Sequence, residues 1–211
     1  MIAIDGPAAS GKSSVSRHLA EQLGFMHVNS GAMYRALTWS VLRHSIAPAD
    51  APAVIAHLGA IEITCGASDG LATLTVDGVD PGDGLISTEV NGAVSAVSQI
   101  PEVRDVLVAK QREYQDVGDI VMEGRDIGSV VFPETPFKFY IDASPEVRAA
   151  RRRDEGISDD LAKRDATDSR RKTSPLVIAD DAQVIDTSEM GIDEVVALVL
   201  DGLRSRGLEI E

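Results

Sequence analysis

The sequence predicts an α/β fold: a doubly wound, five-stranded parallel sheet with helices on both faces, a small antiparallel β insert and a short lid. Two observations favour this fold. Five short apolar stretches alternate with stretches of helical periodicity along the chain. The first of them leads into a glycine-rich loop and then a helix, the order typical of such sheets. The 211 residues suffice for one domain, predicted to span residues 1–211.

The glycine-rich loop follows a strand predicted at Ile2-Ala3-Ile4 and precedes a helix predicted from Ser14 to Leu23. It fits the pattern G-x-x-x-x-G-K-[ST], which makes the predicted fold P-loop NTPase-like. Lys12 is expected to reach the β- and γ-phosphates of ATP, and the Ser13 hydroxyl to ligate Mg²⁺. The ATP-binding residues that the motif predicts are Gly6, Pro7, Ala8, Ala9, Ser10, Gly11, Lys12, Ser13 and Ser14.

Apolar periodicity and turn residues predict the elements that follow. In chain order they are a strand after Gly24, helices at 32–44 and 53–58, helices at 87–97 and 101–114, strands at 119–122 and 138–142, a helix capped by Ala143-Ser144-Pro145, a strand at 183–186 and a helix at 192–206.

Residues 61–79 have a different pattern, because apolar residues such as Ile61, Ile63 and Cys65 alternate with polar ones. Turn signals stand at Ser68-Asp69-Gly70 and Asp77-Gly78. The alternation predicts an antiparallel hairpin or meander, and the insert is expected to cover about residues 61–86.

The charge and the composition exclude several classes of protein. A net charge of −14 argues against general nucleic-acid binding, which depends on Lys and Arg contacts with phosphates. No apolar run approaches the roughly 18 residues of a membrane span. Cys65 is the only cysteine, so an intrachain disulfide is excluded. With no signal peptide expected before the P-loop, a cytoplasmic protein without nucleic-acid or membrane partners is predicted.

Basic residues concentrate in one segment, although the chain as a whole is acidic. Nine of the 20 Lys and Arg residues lie within residues 148–172: Arg148, Arg151, Arg152, Arg153, Lys163, Arg164, Arg170, Arg171 and Lys172. Such a run is often a solvated helix face. In a chain with a P-loop, convergence on phosphates is the better interpretation, and the segment is predicted to form the lid.

Polar residues also follow the predicted strands. Ser30 comes after the second strand, Arg35 lies one helical turn further, and Arg125 and Asp126 follow the third strand. Ligands of doubly wound sheets bind beyond the carboxyl ends of the strands. The sequence therefore predicts a second anion site facing the P-loop, the layout of a kinase with a phosphorylated acceptor.

Five segments together resemble the bacterial cytidylate kinases, a family of nucleoside-monophosphate kinases. They are residues 4–13, Ser30-Gly31-Ala32-Met33-Tyr34-Arg35, residues 94–104, residues 124–133 from Gly124-Arg125-Asp126 onward, and residues 164–176. They cover nearly the whole chain in order, and the β-rich insert is also a feature of this family. The resemblance implies transfer of the γ-phosphoryl group of ATP to CMP or dCMP, with Mg²⁺. A monomeric protein is expected.

The resemblance also implies a role for each matching residue. Ser30, Arg35 and Arg125 would approach the monophosphate; Ser95, Arg104 and Asp126 would contact cytosine; Arg164 and Asp168 would reach the sugar; and Arg171 would lie between the two phosphates. The catalytic candidates are Lys12, Arg125, Arg152 and Arg171, and Arg148 joins the ATP-binding set. A carboxylate such as Asp126 can accept from the cytosine amino group, and a guanidinium can donate to N3 and O2.

Alternatives stay open at the level of residues and of function. Ser95 could be an ordinary helix serine, Arg104 could pair with a surface carboxylate, and Asp126 could cap a helix. The chain could be a kinase for a metabolite such as shikimate or gluconate, or a nucleotide sensor without catalysis. UMP is a rival acceptor within the kinase class.

Overall fold

The computed structural model describes residues 1–68, 71–154, 156 and 161–210. The chain forms two compact units, one from residues 1–28 and 118–211 and the other from residues 29–117. In the described ranges the strands are β1 (Ile2–Asp5), β2 (Met26–Asn29), β3 (Ile63–Ser68), β4 (Leu71–Val76), β5 (Ile120–Gly124), β6 (Lys138–Asp142) and β7 (Gln183–Asp186). The α-helices there are α1 (Lys12–Leu23), α2 (Ser30–Arg43), α3 (Ala51–Leu58), α4 (Thr88–Val97), α5 (Pro101–Arg112), α6 (Pro145–Asp154), α7 (Leu161–Ser169) and α8 (Ile192–Ser205).

The first unit is built on a parallel sheet with the strand order β2-β5-β1-β6-β7. The register pairs Asp5 of β1 with Gly124 of β5 and with Tyr140 of β6, and Asp142 of β6 with Asp186 of β7. The carboxyl ends of these strands therefore meet at one edge of the sheet, which is where ligands bind in doubly wound folds. The predicted fold class, with its five parallel strands, is confirmed.

The core of this unit explains why the central strands read as continuous apolar runs. Ile2 and Ile4 of β1 are fully buried, as expected for a parallel strand covered on both faces. Apolar residues of α1 and α8 pack into the same core as the strands: Val15, Leu19, Val195, Val196, Val199 and Leu203. The spacing of these residues gives each helix one apolar face, so burial selects helix rather than strand.

The second unit contains the hairpin of β3 and β4 together with α2 to α5. The strands pair antiparallel from Ile63 opposite Val76 to Ser68 opposite Leu71. Of the predicted turn at residues 68–70, Asp69 and Gly70 lie outside the described residues. The turn predicted at Asp77-Gly78 does form, since both residues have positive φ angles of 50° and 73°. The alternating pattern thus produced a hairpin, and residues 82–86 form a 3-10 turn.

Two features of the first unit differ from the sequence-based expectation. The basic segment contains α7 as a separate helix after α6, an element that its short, polar sequence did not predict. A π turn follows β5 at Ile127–Val131, where apolar residues without a clear period gave no prediction. The longest helices in the described ranges have 14 residues, and none of them combines the length and the hydrophobicity that a membrane span needs.

Candidate active site

The P-loop joins β1 to α1, as the motif predicts. Gly6 lies so close to β6 that a Cβ atom there would stand 2.1 Å from the carbonyl oxygen of Ile141, so only glycine fits. Gly11 has a φ of 90° and is the N-cap of α1, and within the described residues no side chain caps it. The N–H groups of the first helical turn therefore lack intrahelical partners and can serve an anion.

Lys12 opens α1 and is 8% exposed. Its Nζ donates to the carbonyl oxygen of Pro7 at 3.1 Å, so the side chain folds back along the loop. An ammonium held at this depth acts on nearby phosphates with little screening by water. This geometry suits the predicted contact with the β- and γ-phosphates.

Ser13 contacts a residue for which the sequence analysis assigned no role. Its Oγ donates to Oε2 of Glu123 at 2.6 Å, and Nε2 of His27 lies 3.4 Å from Oε1 of the same carboxylate. Burial alone would raise the pKa of Glu123. Hydrogen bonds from His27 and Ser13 and the charge of Lys12 lower this pKa below its usual range, so the carboxylate stays ionised. Its place directly after the strand predicted at 119–122, and within the last two residues of the observed β5, was the signal that could have identified Glu123.

These residues fit a magnesium ion. Mg²⁺ takes one or two protein oxygens and completes its shell with water and substrate phosphates. The Ser13 hydroxyl and the Glu123 carboxylate supply such a pair beside the P-loop. No cluster of three or more His, Cys, Asp or Glu side chains suited to a metal is found in the described parts of the chain, so an all-protein metal cage is not found there.

Three side chains from outside the P-loop brace it. Nη1 of Arg148 donates to the Ala8 carbonyl at 3.3 Å and to Oδ2 of Asp165 at 2.5 Å. The Thr187 hydroxyl donates to the Ser10 carbonyl at 2.9 Å. Arg151 in turn donates to the Thr187 hydroxyl and carbonyl at 3.1 and 3.0 Å. The backbone of the loop is therefore fixed before a ligand arrives.

A cavity of about 290 Å³ opens beside the P-loop. It is lined by Ala9, Gly11, Ser14, Val15, Arg151, Asp154, Thr187, Met190, Ile192 and Val195. Apolar walls with a guanidinium at the edge suit a flat aromatic base. Thr187 was not predicted, because it lies in no recognisable motif, and Arg151 was predicted only as a member of the basic segment 148–172, without a role of its own.

Two of the predicted arginines are joined by a predicted acid. Nε of Arg125 donates to Oδ2 of Asp168 at 2.9 Å, and Nη2 of Arg171 donates to Oδ1 of the same carboxylate. The three side chains are 16%, 3% and 7% exposed in the order Arg125, Asp168, Arg171. One carboxylate therefore holds two guanidinium groups together, which concentrates positive charge in the first unit.

The remaining predicted residues of the first unit lie near these groups in sequence. Asp126 is 3% exposed and precedes the π turn, but in the described structure its side chain makes no capping bond there. The π turn therefore gives no support to the capping interpretation of Asp126. Arg152 lies on α6 and Arg164 on α7, and both are half-buried.

The second unit holds the other predicted acceptor residues. Ser30 is buried at the start of α2, and Arg35 is half-buried one turn later. Arg104 on α5 is 1% exposed, lies over the ring of Tyr34 at 5.0 Å and donates to the Ser98 carbonyl at 3.2 Å. This burial excludes the surface-pair interpretation of Arg104. Ser95 is half-buried on α4.

Comparison with known proteins gives a consistent family. The family model for cytidylate kinase matches residues 2–205. A cytidylate kinase of Streptomyces avermitilis is 43% identical over 95% of this chain and 90% of its own length. One of Mycobacterium leprae is 44% identical over 98% of this chain and 96% of its own length.

Solved structures share the fold at much lower identity. A sugar kinase from Janibacter, at 12% identity, covers 99% of this chain and 98% of its own length with a TM-score of 0.51. A gluconokinase from Sinorhizobium meliloti, at 15% identity, covers 97% and 91% with the same TM-score. These likenesses support the kinase fold alone. The match of the family model over nearly the whole length shows that the chain belongs to the cytidylate kinase family.

Proposed function

We propose that the protein transfers the γ-phosphoryl group of ATP to CMP or dCMP, giving ADP and CDP or dCDP. The observation that carries the proposal is the contact of Ser13 with the ionised Glu123 beside the buried Lys12, in a chain of the cytidylate kinase family. A P-loop with such a serine and carboxylate suits a nucleoside triphosphate with its metal ion.

The donor is assigned to the first unit. The triphosphate would bind the N–H groups of the P-loop, and the base would enter the cavity beside Val15 and Arg151. Arg151 is already fixed by two hydrogen bonds to Thr187, so little side-chain entropy is lost when its guanidinium contacts a base. These features support ATP as the donor.

Magnesium is assigned to Ser13 and Glu123. When bound, Mg²⁺ would neutralise charge on the β- and γ-phosphates. The low pKa of Glu123 keeps its carboxylate available as an oxygen ligand at neutral pH. Lys12 adds a fixed positive charge on the same side of the loop.

The acceptor roles are assigned as the resemblance to the cytidylate kinases implies. Ser30, Arg35 and Arg125 would bind the monophosphate, and Ser95, Arg104 and Asp126 would bind the base. Arg164 and Asp168 would bind the sugar, and Arg152 and Arg171 would stabilise the transferred group. The burial of Arg104 and Asp126 supports their assignment to the base, because hydrogen bonds discriminate best where water is excluded.

The reaction needs charge stabilisation more than a base. The acceptor phosphate is largely ionised at neutral pH, because its second pKa is about 6. Lys12, Arg125, Arg152 and Arg171 would offset the charge that spreads over the transferring group. We further propose that residues 148–172 act as a short lid that excludes water, and that residues 61–86 belong to the monophosphate-binding part of a single kinase domain. A monomeric state, a cytoplasmic location and the absence of nucleic-acid partners stay predictions.

The test is a coupled assay of ADP release with CMP, dCMP, UMP, AMP, GMP, shikimate and gluconate as acceptors. CMP and dCMP should give the highest kcat/KM. Highest activity on shikimate or gluconate would replace the proposal by a metabolite kinase. Tight ATP binding without turnover on any acceptor would indicate a nucleotide sensor.

A further inference from the structure

The π turn stands directly after two residues of the proposed acceptor site. Two hydrogen bonds between residues five positions apart close it. The N–H of Val131 donates to the Asp126 carbonyl at 3.1 Å, and the N–H of Phe132 donates to the Ile127 carbonyl at 2.7 Å. Such turns are rare and concentrate at functional sites. The orientation of Asp126 and of its neighbour Arg125 therefore depends on what holds the start of this turn.

Asp5, at the end of β1, holds it. Its Oδ1 accepts from the N–H of Ile127 at 2.8 Å, and its Oδ2 accepts from that of Gly128 at 2.7 Å. The N–H groups at the start of a helical turn have no partner within the turn, so a carboxylate that accepts two of them is an effective cap. Asp5 is 5% exposed, which makes this cap a buried one.

The packing around this cap leaves it little room to move. A Cβ atom on Gly128 would stand 3.4 Å from Oδ2 of Asp5 and 3.1 Å from the Cγ and Cδ atoms of Lys138. Lys138 cannot easily withdraw, because its Nζ donates to the Pro133 carbonyl at 2.6 Å and to Asp181 at 2.9 Å. The carboxylate, the turn and the lysine stem thus form one packed cluster.

We propose that Asp5 is a positioning residue for the acceptor nucleotide, because it fixes the backbone on which Arg125 and Asp126 stand. The proposal rests on the acceptor roles proposed above for those two residues. It assigns to a residue that adjoins the P-loop a function toward the other substrate. Both of its carboxylate oxygens are occupied by the loop after β5.

The charges around Asp5 make this cap sensitive to pH. Burial raises the pKa of Asp5 to about 7, although the hydrogen bonds from Gly128 and Ile127 lower it. Of the charged neighbours, Asp126 raises this pKa and Arg125 lowers it, and from β6 Tyr140 and the stem of Lys138 lie close. A protonated carboxyl accepts from two N–H groups less well, so the cap should weaken as the pH falls below about 7.

The first experiment compares Asp5→Asn with the wild-type protein and with Asp201→Asn, the same change at an exposed residue of α8. In Asp5→Asn the amide oxygen can still accept from one backbone N–H, but the amide NH2 group would face the other N–H, so two donors would oppose each other. Kd for CMP, measured by calorimetry, should rise about tenfold or more in Asp5→Asn, while Kd for MgATP stays within about twofold. Asp201→Asn should change neither. Unchanged CMP binding, or an equal loss of CMP and MgATP binding, would overturn the proposal.

A second variant and a pH series guard against a change that only destabilises the fold. Gly128→Ala presses on the same carboxylate from the other side, and it should weaken CMP binding in the same direction without altering MgATP binding. Between about pH 6 and 8 the KM for CMP of the wild-type protein should fall more steeply than that of Asp5→Asn, whereas ionisation of the CMP phosphate affects both alike. Parallel profiles would contradict the inference.

The two proposals fail separately. If the wild-type protein does not phosphorylate CMP, the proposed function is wrong. If it does, and if Asp126→Asn alters base preference while Asp5→Asn leaves CMP binding unchanged, the positioning role of Asp5 alone is wrong.

Discussion

Lys12 is the buried positive charge to which the proposed mechanism assigns the largest effect on the rate. It is 8% exposed, and in this structure it contacts the P-loop backbone at Pro7. We expect Lys12→Ala to lower kcat/KM by about three orders of magnitude or more, since loss of a charge clamp of this kind costs about 4 kcal/mol. Lys110→Ala, at a partly exposed lysine of α5, is the matched control. Near-normal turnover of Lys12→Ala with an unchanged circular dichroism spectrum would remove this role.

Asp126 is expected to choose the base. CMP presents an amino donor at position 4 and UMP a carbonyl, so a buried carboxylate would face UMP with two opposed acceptors at a cost of about 1–3 kcal/mol. We expect a preference for CMP of at least about tenfold in kcat/KM, and a smaller one in Asp126→Asn, whose amide can donate. The test is to measure kcat/KM for CMP and for UMP with the wild-type protein and with Asp126→Asn. If the ratio of the two kcat/KM values is the same in both proteins, Asp126 does not contact the base.

Residues of the P-loop could be predicted because the motif is contiguous, and its geometry is largely local. Glu123 and Asp5 were not assigned roles, because their functions arise from contacts between distant parts of the sequence. Ser13 and Glu123 are 110 positions apart, and Asp5 and Ile127 are 122 positions apart. Only the parallel pairing of β1 with β5 brings such residues together.

At the scale of elements, α7 acts on the loop after β5 through one carboxylate. Asp168 of α7 accepts from Arg125 and from Arg171, so the two cations keep a fixed separation despite their mutual repulsion. If the two arginines act on the transferring phosphoryl group as proposed, this arrangement would hold their positive charge in place without a substrate having to order it.

The role proposed for Arg171 predicts a kinetic signature. If it stabilises mainly the transferring phosphoryl group, Arg171→Ala should lower kcat far more than it raises the KM for CMP. Steady-state kinetics with CMP varied at saturating MgATP measures both. Arg204→Ala, at an exposed arginine of α8, is the control. An effect confined to KM would reassign Arg171 to ground-state binding.

Elements with a clear apolar period were predicted well, because burial of one face decides their structure. α8 has such a face, and its observed range agrees with the predicted 192–206 within one residue. The π turn and α7 were missed for the opposite reason. The π turn is capped by a carboxylate from β1, and α7 buries mainly Asp168, so neither is encoded by its own apolar pattern.

At the scale of the whole molecule, two buried carboxylates of the first unit should make opposite contributions to the pH dependence of stability. The pKa of Glu123 is lowered in the folded state. Its contribution to stability is therefore complete above the unfolded pKa of about 4.5, and it is lost as the pH falls from there through the lower folded-state pKa. The pKa of Asp5 is raised to about 7, so its contribution is complete below the unfolded value near 3.8 and is lost as the pH rises through about 7.

The free energy of unfolding should therefore contain a term that decreases from about pH 4 to about pH 7, by at most about 4 kcal/mol, and Asp5→Asn should lack it. Urea denaturation at several pH values measures this, followed by far-UV circular dichroism because the single tryptophan, Trp39, lies in the other unit. The matched control Asp201→Asn should keep the wild-type pH dependence. If wild type and Asp5→Asn have parallel profiles over this range, Asp5 does not titrate near neutrality. At neutral pH the buried, ionised carboxylate of Asp5 would lower the free energy of unfolding. Such a cost to stability would fit a residue that serves substrate positioning rather than stability.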